Sequence, residues 1–219
     1  MDATKVITTA NLKGGTAKTT STVFLAEAFR REGYRVKIAD ADPQQSSLDW
    51  AGLETPVLGL ATATLHRQFW NVIDRDTVDV VIIDTPPVEA NKGIVASAMR
   101  VATDILIPMA PTMMELKRFG PVWDTIADAA GFRDDDPDVV VLLNRTVANA
   151  ASTEVIRATL EGQQRIVLAT EVPRLELYAQ AFGQPVPKDK HYAAVADEFL
   201  ARWGWKAVDG EEEAVLDGE

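Results

Sequence analysis

The chain has 219 residues, which is enough for one domain or at most two small ones, and 47% of them are hydrophobic, so a sizeable core can form. It contains no cysteine, which excludes disulfides, thiolate zinc sites and cysteine-ligated iron–sulfur clusters. No apolar run reaches the roughly 18 residues of a membrane span, and the N-terminus has no signal-peptide h-region, so we expect a cytoplasmic protein with no membrane partner.

The negative charge is concentrated at the C-terminus. The net charge is −11, and residues 208–219 hold six acidic side chains and no lysine or arginine, which leaves −5 for residues 1–207. We interpret residues 1–207 as a single domain and residues 208–219 as a disordered acidic tail. Because the body is not basic, any contact with DNA has to come from a local patch of cations.

A glycine-rich loop follows the first predicted strand. Residues 6–10 have β-type composition and residues 22–29 have helical spacing, so this part of the chain predicts strand, loop and helix. Two glycines allow backbone N–H groups to face an anion, Lys18 brings a charge to the terminal phosphates, and the Thr19 hydroxyl can bind Mg²⁺. The loop residues assigned to nucleotide binding are Lys13, Gly14, Gly15, Thr16, Ala17, Lys18, Thr19 and Thr20.

The spacing of this loop departs from the ordinary P-loop. Leu12 and Ala17 occupy positions where that pattern expects glycine, and Lys13 is an additional lysine before the glycines. The loop resembles the deviant P-loop, KGGxxK[ST][ST], of the ParA/MinD ATPases. The resemblance implies that Lys13 crosses a dimer interface to the nucleotide of the partner subunit. The alternative is a glycine turn between a strand and a helix, with incidental lysines.

A second strand, over residues 36–40, ends in acid. The stretch from Asp40 to Gln44 resembles the DxDPQ element of the same family. Two carboxylates beside a Mg-nucleotide can hold metal-bound water and orient an attacking water. By resemblance we assign Asp42 to the attacking water and Asp40 to the metal shell. The alternative is an ordinary Asp-Pro turn after a strand.

Residues 78–84 predict a strand buried on both faces of a parallel sheet, because apolar β-branched residues follow one another there. By resemblance Asp84 is the Walker B acid that holds Mg²⁺ through water, and residues 85–87 are the switch that senses the γ-phosphate. The alternative for Asp84 is a strand-terminal cap of the next helix.

The rest of the chain continues to alternate between strands and helices. We predict a short helix over residues 48–53, strands over 57–60, 104–109, 139–143 and 166–169, and helices over 65–73, 113–130, 153–160 and 192–203. The pattern predicts a doubly wound α/β domain, with a mostly parallel sheet and helices on both faces, as in P-loop NTPases. The acidic run at residues 134–138 predicts a solvated loop.

The resemblance also implies contacts to adenine. Residues 171–186 resemble the ParA segment in which an apolar residue, proline and arginine precede a helix and a Gly-x-Pro turn. In that segment Val172 and Pro173 are the candidate contacts, together with Asn144 after the strand at residues 139–143. A polar strand cap is the alternative for Asn144.

The function implied is that of a small ParA-type partition ATPase, which hydrolyses ATP to ADP and phosphate with Mg²⁺. In this interpretation ATP closes a homodimer that binds DNA nonspecifically on the nucleoid, and a ParB-like centromere-binding protein stimulates hydrolysis. Two alternatives remain open: a MinD-like regulator of division, whose basic amphipathic tail helix has no counterpart in the acidic C-terminus, and a metabolic or maturation ATPase on the same fold.

The sequence points to the C-terminal half for DNA contact. Residues 139–208 hold eight basic and seven acidic side chains, whereas residues 1–138 hold fourteen and twenty. The near-neutral half is the better candidate, because nonspecific binding grows with the number of phosphates that cations neutralise. The residues chosen for these contacts are Arg165, Lys188, Lys190 and Arg202.

Overall fold

A computed structural model describes residues 3–206 of the chain. Its strands are β1 (Lys5–Thr9), β2 (Val36–Asp40), β3 (Val57–Gly59), β4 (Val80–Asp84), β5 (Asp104–Met109), β6 (Asp138–Thr146), β7 (Ile166–Val167) and β8 (Val172–Pro173). Its helices are α1 (Lys18–Arg31), α2 (Leu65–Val72), α3 (Val88–Met99), α4 (Met113–Lys117), α5 (Gly120–Ala130), α6 (Ala151–Gly162), α7 (Glu176–Ala179) and α8 (Lys190–Arg202).

The strands form one parallel sheet in the order β3-β2-β4-β1-β5-β6-β7, and β8 pairs with the end of β6. The registers bring the last residues of the central strands together. Asp84 pairs with Asp40 on one side and with Thr9 on the other. The carboxyl ends of these strands therefore meet at one edge of the sheet, where ligands bind in open α/β sheets.

Helices cover both faces of the sheet. Because successive side chains of a strand point to opposite faces, the continuous apolar strands supply two cores. Ile82 lies in the core beneath α1 and α8, whereas Val81 and Ile83 lie in the core beneath α2 and α3. Helices α5 and α6 extend this second layer over β5 and β6. The predicted doubly wound fold is confirmed.

Helix α8 runs from the carboxyl edge of the sheet to the opposite edge. Near its start, the Tyr192 hydroxyl lies 2.9 Å from Ser21 Oγ in the first turns of α1. Just beyond its end, Trp203 Nε1 donates to Asp104, the first residue of β5, at 3.2 Å. This direction fixes which residues of the C-terminal region lie near the candidate site.

Two predicted helices differ from the structure. Residues 113–130 form two helices, α4 and α5, instead of one. Pro121 has no amide hydrogen, and in a continuous helix its ring would clash with the carbonyl of Lys117, so Pro121 lies in the first turn of a new helix. Residues 48–53 form turns: Gly52 has a φ of 73°, and the Trp50 indole donates to the Gln184 carbonyl at 2.8 Å.

The remaining predicted elements are found with shifted ends. Helix α1 begins at Lys18, earlier than expected, and α6 extends from Ala151 to Gly162. The predicted acidic tail at residues 208–219 lies outside the described residues. Within residues 3–206, no helix has both the length and the apolar composition that crossing a membrane requires.

Candidate functional site

A cleft of about 520 Å³ opens at the carboxyl edge of the sheet. The segments that line it follow β1, β2, β4 and β6. Its lining residues are Gly14, Gly15, Ala17, Lys18, Thr19, Thr20, Asp42, Pro43, Gln44, Ser46, Pro86, Pro87, Ala90, Asn91 and Arg145. The cleft therefore joins the glycine loop, the loop that carries Asp42 and two of the predicted switch residues.

The glycine loop ends in a left-handed residue just before the helix. Ala17 has φ 67° and ψ 27°, and Gly15 has φ 73°. Because the first N–H groups of a helix have no intrahelical partner, this geometry presents the start of α1 to the cleft as a site for an anion. An L-residue in this conformation costs about 1–2 kcal/mol, a cost that glycine avoids.

Lys18 is the first residue of α1 and is buried. Its Nζ donates to the Lys13 carbonyl at 2.9 Å. Burial lowers the pKa of Lys18, and the negative charges of Asp84 and Asp42 act in the opposite direction. The loop thus holds a cation among carboxylates, next to the N–H groups that begin the helix.

Asp84 is completely buried at the end of β4. Ser47 Oγ donates to its Oδ2 at 2.7 Å, whereas Oδ1 has no hydrogen-bond partner within residues 3–206. Burial raises the pKa of Asp84 to about 7, although Ser47 and the nearby Thr19 hydroxyl favour its charged form. A buried carboxylate oxygen without a donor is a suitable ligand for a hard cation.

Asp40 is also fully buried, and both of its oxygens hold the loop that follows β2. Oδ1 accepts from the Asp42 amide at 3.0 Å, and Oδ2 accepts from the Leu48 amide at 2.9 Å. Burial raises the pKa of Asp40, against the effect of these amides. Asp42 itself is half-buried in the cleft, and its Oδ1 accepts from the Gln44 amide at 2.9 Å.

Lys13 lies at the rim of the cleft and does not line it. Its Nζ is 3.9 Å from Glu89 Oε2, and both side chains are about half exposed. The neighbouring Thr16 is buried, and its hydroxyl donates to the Lys13 carbonyl at 3.3 Å. The side chain of Lys13 is therefore accessible at the surface, where a second molecule can reach it.

The residues predicted to contact adenine meet through the pairing of β6 with β8. Asn144 is the register partner of Val172, and Pro173 is the partner of Thr146. The buried Asn144 amide donates to Ser21 Oγ at 3.3 Å and to the Tyr192 hydroxyl at 3.4 Å. All three predicted residues lie beside the cleft and outside its lining.

Three residues at or near the cleft had no role in our sequence assignments. Ser47 bonds to Asp84, Asn91 interrupts α3 with φ −152° and ψ 61°, and Arg145 lines the cleft with φ 57°. The sequence could have indicated two of them from their neighbours: Ser47 lies three residues after the Asp40–Gln44 stretch, and Arg145 directly follows Asn144. Nothing in the sequence marks Asn91.

A parallel sheet with a glycine loop at its carboxyl edge and acids on the adjacent strand ends defines a P-loop nucleotide-binding domain. The family model for the CobQ/CobB/MinD/ParA nucleotide binding domain matches residues 7–186. The chain belongs to this family, which confirms the resemblance to the ParA/MinD ATPases.

Two curated relatives differ in how much of the chain they match. The maintenance of carboxysome distribution protein A of Halothiobacillus neapolitanus is 28% identical over 184 residues, which is 81% of this chain and 83% of that protein. The sporulation initiation inhibitor protein Soj of Bacillus subtilis is 32% identical over 117 residues, which is 52% of this chain and 43% of that protein.

Among solved structures, cobyrinic acid a,c-diamide synthase from Mycobacterium smegmatis, with bound ADP and magnesium, has a TM-score of 0.71. The match is 22% identical and covers 92% of this chain and 96% of that one. At this identity the likeness establishes the fold and leaves the activity open.

Ala17→Gly tests whether the loop is strained. Replacing Ala17 by glycine removes about 1 kcal/mol of backbone strain from the folded state. It also increases the conformational entropy of the unfolded chain, which lowers stability by a similar amount. We expect no loss of stability, or a gain of up to about 1 kcal/mol, in urea unfolding. Ala127→Gly, at an exposed position of α5, is the matched control and should lose about 1 kcal/mol. Equal losses in both variants would contradict the strain.

Asp84→Asn tests the cost of the buried carboxylate. Asparagine keeps the acceptor for Ser47 and removes the charge. Because the folded-state pKa is raised from 3.8 to about 7, wild type loses stability as the pH rises through this interval, and the variant does not. Without nucleotide, the variant should be more stable than wild type by about 2 kcal/mol at pH 8, and by much less at pH 5. Urea unfolding at both pH values measures this, and a variant less stable than wild type at pH 8 would refute it.

Proposed function

We propose that the chain is an ATPase of the ParA type that hydrolyses ATP to ADP and phosphate with Mg²⁺. The main supporting observation is that Lys18 and the start of α1 line the cleft, and that the partly unsatisfied Asp84 is buried close to Lys18 and Thr19. A helix start and a lysine suit phosphates, and a buried carboxylate suits their cation. ADP and magnesium in the cobyrinic acid a,c-diamide synthase structure support this assignment.

A residue of the cleft and two buried carboxylates next to it fit Mg²⁺. We propose that the Thr19 hydroxyl binds it and that Asp84 and Asp40 hold its water ligands, with the unpartnered Oδ1 of Asp84 as the supporting observation. When bound, the ion neutralises charge on the β- and γ-phosphates. Within residues 3–206, no three His, Cys, Asp or Glu side chains are grouped to hold a metal on their own.

Asp42 is the proposed positioning group for the attacking water. Its carboxylate lines the cleft, and the Gln44 amide fixes one of its oxygens. The carboxylate accepts a hydrogen bond from water as the new bond to the γ-phosphorus forms and the bond to the β–γ bridging oxygen breaks. Asp40 acts on this step indirectly, because its oxygens hold the loop that carries Asp42.

An apolar rim beside the cleft supports a dimer. We define the apolar rim as Met113, Met114, Val147, Leu175 and Leu177, which are between 40% and 61% exposed. These residues follow β5, β6 and β8 at the carboxyl edge, next to the cleft. Exposed apolar side chains gathered in one place favour association. We propose a second copy of the chain as the occupant when ATP is bound, with Lys13 reaching the partner's phosphates.

DNA is the proposed surface on which the dimer acts, and the structure separates the four cations chosen for it. Arg165 stacks on Trp123 at 3.8 Å, and Arg202 lies 3.3 Å from Asp138, both at the amino edge of the sheet. Lys188 and Lys190 lie at the start of α8 on the carboxyl edge, and neither forms an ion pair within residues 3–206. We retain these two lysines for nonspecific contact on the nucleoid.

The proposed ATP cycle has two candidate cargoes. DNA segregation with a ParB-like centromere-binding partner is one candidate. The match to the carboxysome distribution protein over 83% of its length supports a second candidate, the positioning of a protein compartment by the same ATP cycle. A metabolic or maturation ATPase on the same fold is the remaining alternative, and its turnover would depend on a second substrate and be indifferent to DNA.

Lys18→Ala and Lys13→Ala separate the proposed roles of the two lysines. Lys18 lies inside the cleft, so its loss should weaken binding of both ATP and ADP by roughly 10- to 100-fold in calorimetry. Lys13 lies at the rim, so its variant should bind ADP within about threefold of wild type but neither dimerise nor hydrolyse ATP. Full ATPase activity in Lys13→Ala would show that Lys13 has no role in the partner subunit and that the loop acts as an ordinary P-loop. Unchanged affinity in Lys18→Ala would overturn the nucleotide site.

The double variant Lys188→Ala/Lys190→Ala tests the DNA surface. We expect wild type to bind unrelated duplexes with ATP and not with ADP, with an affinity that falls steeply with salt. Removing two phosphate contacts from each subunit should weaken binding and flatten its salt dependence. Arg165→Ala/Arg202→Ala removes the same charge from the other edge and serves as the control. Equal DNA affinity of wild type in both nucleotide states, or equal loss in both variants, would count against this surface.

A further inference from the structure

Arg145 occupies an irregularity in the sheet beside the cleft. Asn144 pairs with Val172 and Thr146 pairs with Pro173, and the register shifts at the residue between them. Arg145 has a φ of 57°, a left-handed conformation that is unfavourable for an arginine. Irregularities of this kind re-aim side chains and occur often next to active sites. The result here is that Arg145 lines the cleft together with Thr20.

Left-handed backbone is concentrated around the cleft. Of the five non-glycine residues with positive φ in residues 3–206, three lie in segments that line it: Ala17, Gln45 and Arg145. Such strain persists where the surrounding structure imposes it, and it clusters at ligand-binding positions. The strained backbone at Arg145 therefore suggests that its guanidinium binds a ligand in the cleft.

The guanidinium of Arg145 has no ion-pair partner within residues 3–206, and its side chain is exposed. It is near Glu115, where its charge opposes the rise in pKa that burial causes. Arg145 also directly follows Asn144, at the side of the cleft where the base is proposed to lie. The opposite side of the cleft is formed by Asp42, which follows β2, and by Pro86 and Pro87, which follow β4.

We propose that Arg145 binds the α-phosphate of the nucleotide held by its own subunit, an inference that rests on the proposed function. In the proposed function the terminal phosphates lie near Lys18 and Asp84, and the family resemblance implies that the base lies beside Asn144. The α-phosphate lies between these two ends of the nucleotide, and Arg145, which directly follows Asn144, lines the same cleft as Lys18 and Thr20. The planar guanidinium can bind two phosphate oxygens at once.

ATP and ADP both carry the α-phosphate, so loss of a contact to it should weaken the binding of both nucleotides, whereas loss of a γ-phosphate contact should weaken ATP binding alone. Arg145→Gly should weaken binding of both nucleotides by a similar factor, roughly 10- to 100-fold in calorimetry. The melting temperature of the nucleotide-free variant should not fall, because glycine accepts the left-handed backbone. Arg145→Asn, which also tolerates this backbone, should reproduce the loss, and Arg145→Lys should recover part of the affinity.

Arg67→Ala is the matched control, because it removes one exposed arginine from α2, away from the cleft. It should bind both nucleotides as wild type does. Unchanged affinity in Arg145→Gly would overturn the inference, and a loss for ATP alone would overturn the α-phosphate assignment in favour of a terminal or partner-subunit phosphate. Failure of wild type and Arg67→Ala to bind any nucleotide would instead overturn the proposed function, and the inference with it.

Discussion

The carboxylate of Asp84 is buried at the end of β4, and only one of its oxygens has a hydrogen-bond donor within residues 3–206. Such a group destabilises the folded chain unless a cation compensates it. Lys18 is the nearest candidate, but it is itself buried and is held by the Lys13 carbonyl. Lys18 and Asp84 are thus two buried charged groups beside one cleft. We propose that a phosphate of the nucleotide satisfies Lys18 and that its metal ion satisfies Asp84.

The rest of the fold keeps this arrangement in place. Parallel pairing aligns Asp40 with Asp84, and Asp40 in turn holds the loop that brings Asp42 to the cleft. On the other side, Ser21, Asn144 and Tyr192 form a buried polar contact that links α1, β6 and α8. This contact ties the helix that follows the glycine loop to the C-terminal helix.

The fold could be predicted from the sequence because its signals are local. Continuous apolar runs identified the central strands, and the order of lysines, glycines and threonines identified the loop. The division of residues 113–130 into two helices was missed, because it depends on one residue, Pro121, inside an otherwise helical pattern. The direction of Arg145 depends on the pairing of β6 with β8, and the separation of Arg202 from Lys188 depends on the course of α8. Both are set by contacts between distant residues, which a pattern along the chain does not contain.

If Mg²⁺ and ATP complete the cleft together, their joint binding raises the melting temperature of the wild-type protein. A ligand present at 100 times its Kd stabilises the folded state by about 2.7 kcal/mol, which for a chain of this size raises the melting temperature by roughly 5–10 °C. We expect a rise of this order with ATP and Mg²⁺, and a much smaller rise with the same ATP in excess EDTA. Equal melting temperatures in the two conditions, or no rise with either, would contradict it.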